Sequence, residues 1–168
     1  LTALGKVIGG GLPCAAFGGK KEIMNQIAPL GSIYQAGTLS GNPLSMASGL
    51  AMLSALESDK SFYENLGKRS QYLVNGIVSE AKAQNIPMTS NSVGGMFGLF
   101  FSSEKKVSNF SQASSCNIEL FKKFYNAMLK QGIYLAPSAY EAGFLSNAHT
   151  DDDLDKTINA ASTAFSLI

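Results

Sequence analysis

The sequence predicts an α/β chain with an α/β lobe over residues 1–57 and a small α+β lobe over residues 58–168. Three observations lead there. Residues 1–42 are short apolar pieces punctuated by glycine. Beyond them, apolar residues recur at helical spacing in separate capped stretches. Between two of those stretches lies one strand pattern broken by Gly94-Gly95.

In the first lobe, Val7-Ile8 and Cys14 to Phe17 are of strand length and sit between glycine clusters, which mark turns and close backbone approaches. Lys20 to Ile27 reads as a short helix stopped by Pro29. Asn42-Pro43 is a strong helix start, because Asn accepts from free N–H groups and Pro suits the first helical position. Leu44 to Leu56 is apolar on most faces, so that helix is expected to lie buried against other elements.

In the second lobe, Phe62, Leu66, Leu73, Ile77 and Ala81 place an amphipathic helix over residues 61–85. Residues 88–102 carry the strand pattern. Residues 103–116, rich in Ser and Lys, read as a mobile loop. A helix follows over residues 117–131, with Gly132 as its stop. Ile133 to Leu135 reads as a short strand ended by Pro137. Thr150 followed by Asp151, Asp152 and Asp153 opens a last helix with carboxylates at its positive end, and Leu154, Ile158, Ala161 and Phe165 form its stripe.

Composition excludes several classes of function. The net charge is +1, the basic residues are scattered, and Arg69 is the sole arginine. A nucleic-acid surface needs clustered Lys and Arg. No apolar run approaches the ~20 residues of a membrane span, and Lys6 is followed by glycines rather than a signal-peptide core. Two distant cysteines, Cys14 and Cys116, and one histidine, His149, lack zinc spacing. Free thiols and a cytoplasmic location are the expectation. The sequence starts at Leu1 inside a motif, so a fragment is expected.

The chemistry sits in three motifs. The first is Leu4-Gly5-Lys6-Val7-Ile8-Gly9-Gly10-Gly11-Leu12-Pro13. It is neither a P-loop nor a dinucleotide fingerprint, since Cys14 stands where each would need glycine or a comparably small residue. By itself it also fits a solvated lysine beside a turn. The second is Tyr34-Gln35-Ala36-Gly37-Thr38-Leu39-Ser40-Gly41-Asn42-Pro43. A Gly-Thr pair ahead of a capped helix can offer a phosphate an N–H and a hydroxyl, or can be an ordinary cap region. The third runs from Ala136-Pro137-Ser138 through Tyr140-Glu141-Ala142-Gly143-Phe144 to Ala148-His149-Thr150.

In this order and spacing, the first two motifs resemble the class-III aminotransferase superfamily of fold-type I pyridoxal-phosphate (PLP) enzymes. The third resembles its glutamate-1-semialdehyde aminomutase branch. The resemblance runs essentially from Leu1 to Ile168, with small departures at Cys14 and Ala15. It implies that residues 1–57 close a large PLP-binding α/β domain and that 58–168 form the small C-terminal domain. Lys6 would carry PLP, or release it as the pyridoxamine form, and act as the acid/base. Gly37 and Thr38 would bind the phosphate of the neighbouring subunit's cofactor, which implies a homodimer. Gly9, Gly10 and Gly11 would shape the turn.

Glu141 would face the site, meet the substrate amine and Lys6, and repel an incoming α-carboxylate. His149 is expected to order the turn into the last helix. Many relatives hold a substrate carboxylate with an arginine, and here only Arg69 exists, on a helix face. The reaction implied is isomerisation of glutamate-1-semialdehyde to 5-aminolevulinate. The alternatives are an ω-aminotransferase, or a non-catalytic lobe. A polypeptide starting at Leu1 would lack the family's N-terminal half and is expected not to turn over.

Overall fold

The computed structural model describes all residues from Leu1 to Ile168. It divides into two compact units, Leu1–Lys60 and Ser61–Ile168.

In the first unit, β1 (Thr2–Leu4) pairs antiparallel with β2 (Ala16–Gly18), Ala3 lying opposite Phe17. Lys6–Gly9 between them is a 3-10 turn. Val7 and Ile8 are therefore not strand, contrary to the sequence expectation. Gly9 and Gly10 flank them, and the Gly10 N–H closes the turn on the Val7 carbonyl at 3.0 Å. The expected helix at Lys20 shrinks to α1 (Lys21–Met24). α2 (Pro43–Ser58) starts where Asn42 accepts from the N–H groups of Leu44 and Ser45 at 3.1 and 3.2 Å.

The expectation that α2 is buried on most faces does not hold. Only Ser45 and Gly49 are buried, and Leu44, Leu50 and Leu53 are exposed. Within its unit α2 packs chiefly on the 3-10 turn. That small turn cannot cover an all-round apolar helix.

The second unit holds the apolar core. α3 (Phe62–Ala83), α5 (Ile118–Lys130) and α6 (Asp151–Phe165) pack beside an antiparallel sheet of order β3-β4-β5. In that sheet β3 is Thr89–Val93, β4 is Met96–Phe100 and β5 is Gly143–Phe144. Phe124, Phe165, Ile77, Met128 and Val74 are fully buried at its centre. The rings of Phe124 and Phe165 stack at 4.8 Å. Such burial contributes roughly 1.5–3 kcal/mol per large side chain.

Two expectations fail in this unit. Ile133 to Leu135 forms no strand: the Ile133 N–H turns back to the Met128 carbonyl at 3.0 Å and completes the end of α5. The segment over 103–116 is not a featureless loop. It carries α4 (Phe110–Ser114), capped where Asn109 accepts from the Gln112 N–H, and it buries Val107 and Cys116. Burial pushes the Cys116 thiol above its usual range. No helix is long and apolar enough to cross a membrane.

Candidate active site

Lys6 is the first residue of the 3-10 turn, directly after β1 and Gly5. Its φ is +55°, the left-handed region that a side chain with a Cβ adopts only at a cost of roughly 1–2 kcal/mol. Such strain persists where surrounding contacts over-determine the backbone, and it clusters at functional sites. Beyond Lys6, Gly10 is latched onto α2. Ser48 Oγ donates to the Gly10 carbonyl at 2.9 Å. A Cβ on Gly10, at φ +58°, would stand 2.6 Å from Ser48 Oγ, so glycine is required for that approach. The Lys6 side chain is exposed, and its Nζ makes no ion pair or hydrogen bond within the chain. The turn thus presents a free primary amine on a pinned backbone.

Gly37 and Thr38 lie just ahead of α2. The Ser40 N–H bonds the Gly37 carbonyl at 2.9 Å, and the Asn42 N–H bonds the Leu39 carbonyl at 3.1 Å. Two consecutive turns result, with Gly41 at φ +71° as their pivot. The Thr38 hydroxyl and N–H are exposed and engage nothing in the chain. They form a donor pair suited to an anion. Lys6 and Thr38 are both held by α2, one through the Ser48 latch and the other through the turn that starts the helix.

Glu141 belongs to the second unit. Its N–H bonds the Ser138 carbonyl at 3.1 Å, and the Tyr140 N–H bonds Ser138 Oγ at 3.2 Å. On the other side β5 anchors it, with Gly143 opposite Phe97. A Cβ on Gly143 would sit 2.4 Å from the Phe97 ring, so only glycine lets this strand lie flat on it. Glu141 lines a cleft of about 400 Å³ together with Phe97, Tyr134, Pro137, Phe144 and His149. It also lines a second cleft of about 350 Å³ on the β3–β4 side. Its carboxylate is exposed and unpaired within the chain.

His149 is occupied locally, its Nδ1 accepting from the Ser146 N–H at 3.1 Å. Asp153, on the wall of the larger cleft, is held below the usual carboxylate range. The Thr150 N–H donates to it first, then the Thr150 hydroxyl, both at 2.7 Å. Arg69 is also committed: Nε donates to Asp151 Oδ1 at 3.1 Å, and the guanidinium bonds the His149 carbonyl. Sequence reasoning missed Ser138, whose two bonds shape the Glu141 turn. An Asn or Ser two to three residues before a candidate site is the local signal for such a turn.

The profile described as aminotransferase class-III matches residues 1–164. The chain belongs to the class-III aminotransferase family. Solved structures agree on the fold. An ω-transaminase from Sphaerobacter thermophilus superposes with TM-score 0.81 at 23% identity, covering 98% of this chain and 37% of that one. A β-phenylalanine aminotransferase from Variovorax paradoxus gives 0.82 at 26%, covering 96% and 37%. A glutamate-1-semialdehyde aminomutase from Pseudomonas aeruginosa PAO1, in complex with pyridoxamine phosphate (PMP), gives 0.78 at 18%, covering 98% and 38%. The α/β arrangement is thus that of the class-III, fold-type I PLP aminotransferases, and this chain spans 37–38% of the length of these relatives.

Proposed function

We propose that this chain supplies the lysine, the phosphate ligands and the cleft carboxylate of a cytoplasmic, homodimeric PLP enzyme. It exchanges the amino and carbonyl groups of glutamate-1-semialdehyde, giving 5-aminolevulinate for tetrapyrrole (porphyrin) synthesis. In this reading residues 1–57 close the cofactor domain and residues 58–168 form the small domain.

The groups present fit PLP. An aldehyde calls for a free amine such as Lys6, and a phosphate calls for donors such as the N–H and hydroxyl of Thr38 beside Gly37. When bound, the cofactor withdraws electrons from the reacting carbon. Lys6 Nζ accepts the proton that this carbon loses and returns it at the neighbouring position. Glu141 holds the substrate amine. Thr38 acts on the cofactor of the partner subunit, so each site needs two chains.

The observation that carries the aminomutase reading is the state of Arg69. The sole arginine is fastened to Asp151 and the His149 carbonyl, while the cleft displays the unpaired Glu141. An incoming α-carboxylate would meet a like charge there. An amino aldehyde reacting at its uncharged end would not. A second reading, an ω-aminotransferase, is favoured by sequence identity, 23% for the ω-transaminase from Sphaerobacter thermophilus against 18% for the aminomutase.

The test uses the full-length protein incubated with PLP, reduced with borohydride and peptide-mapped, then assayed. A pyridoxyl group on Lys6 with isomerisation of glutamate-1-semialdehyde supports the proposal. Lys6 labelling with transfer only between added amino and keto acids supports the second reading. No label on Lys6 overturns both.

A further inference from the structure

Phe110 and Tyr140 are 75% and 54% exposed, yet their rings meet at 5.9 Å with a 38° tilt. Phe110 opens α4, a five-residue helix whose own turn needs no aromatic there. Its ring contact is with Tyr140, the residue before Glu141.

The segment that carries Phe110 is fastened at several points. Thr89 Oγ1 donates to the Lys105 carbonyl at 3.3 Å, and Asn91 Nδ2 to the Val107 carbonyl at 2.6 Å. Val107 is buried, the Ser108 N–H bonds Gln112 Oε1 at 2.8 Å, and the Asn117 N–H bonds the Phe101 carbonyl at 2.9 Å. Residues 102–117 therefore act as a strap tied to β3 and to the end of β4. Tyr140 and Glu141 share one turn, closed by the two Ser138 bonds. Glu141 lines both clefts, whereas Tyr140 lines only the smaller one, beside Asn91. Glu141 thus borders both clefts, and a hinge of the turn would exchange one cleft for the other.

We infer that Phe110 is a positioning residue for Glu141. Its ring braces Tyr140, and the braced turn keeps the Glu141 carboxylate at the larger cleft. The inference rests on the role proposed above for Glu141. An aromatic pair of this kind shifts a conformational balance by roughly two- to tenfold. Removing it should cost turnover in that range.

The experiment is a double-mutant cycle in the full-length enzyme with Phe110→Ala and Glu141→Gln, read in kcat and KM. Phe110→Leu and Phe110→Tyr serve as controls for bulk and aromaticity. Amide exchange at Glu141 gives a readout independent of activity. The expected result is a kcat loss of about two- to tenfold for Phe110→Ala, rescue by Phe110→Tyr but not Phe110→Leu, and no added loss in the Glu141→Gln background. The Glu141 amide should exchange faster in Phe110→Ala. An equal loss in both backgrounds, or wild-type kcat and exchange in Phe110→Ala, overturns the brace and leaves Glu141 standing. A silent Glu141→Gln with Lys6 still labelled removes the role of Glu141 itself and the inference with it.

Discussion

Lys6 carries a cost in its backbone that its side chain alone does not explain. At φ +55° a glycine would rest without strain, and its neighbour Gly10 does so at +58°. With both proteins freed of cofactor, Lys6→Gly in the full-length protein should therefore melt at or above the wild-type temperature, and after PLP is added it should lose all borohydride-trapped cofactor at this position. A clear fall in Tm would show instead that the Lys6 side chain contributes to packing. The lysine was legible as a candidate because of the glycines around it, but the left-handed conformation was not. Nothing in the local sequence Gly5-Lys6-Val7 announces it. Glu141 is a similar case. Its place in the third motif was readable, and Ser138 is a local signal for its turn, while the Phe110–Tyr140 contact joins positions about thirty residues apart in sequence.

Among the elements, the three long helices of the second unit and the β3–β4 pair around Gly94-Gly95 were legible, and the short strands β1 and β5 were not. α3, α5 and α6 each repeat an apolar stripe over several turns, and α5 and α6 carry side-chain caps at Asn117 and Thr150. β1 has three residues and β5 has two, too few to establish an alternation. Ile133 to Leu135 alternates but has no partner strand, and its apolar side chains pack against the core from irregular backbone. α6 yields a pH prediction. Asp153 and Thr150 form a reciprocal capping box, and the two bonds from Thr150 lower the Asp153 pKa below the ordinary 3.8. A carboxyl depressed by folding contributes stability in full above its unfolded pKa, and loses it as pH falls through the folded value. The Tm gap between wild type and Asp153→Asn should thus be full at about pH 6 and close progressively below about pH 4. A gap that stays constant into acid would mean that the carboxylate charge is not what the cap uses.

At the scale of the whole chain, the two units differ in kind. Every buried hydrophobic side chain lies beyond residue 60, whereas the first unit buries Gly9, Ser45 and Gly49. Ser61–Ile168 should therefore fold when expressed by itself, with a cooperative melt and slow amide exchange in α3, α5 and α6. The segment Leu1–Lys60 expressed by itself should show neither. A cooperative melt for the shorter piece would contradict this partition. The contrast also bears on biosynthesis. Phe165 of α6 stacks on Phe124 of α5, so the core of Ser61–Ile168 closes only after α6 has left the ribosome. Protection of α3 in pulsed proteolysis of nascent chains should therefore appear at that length and not before.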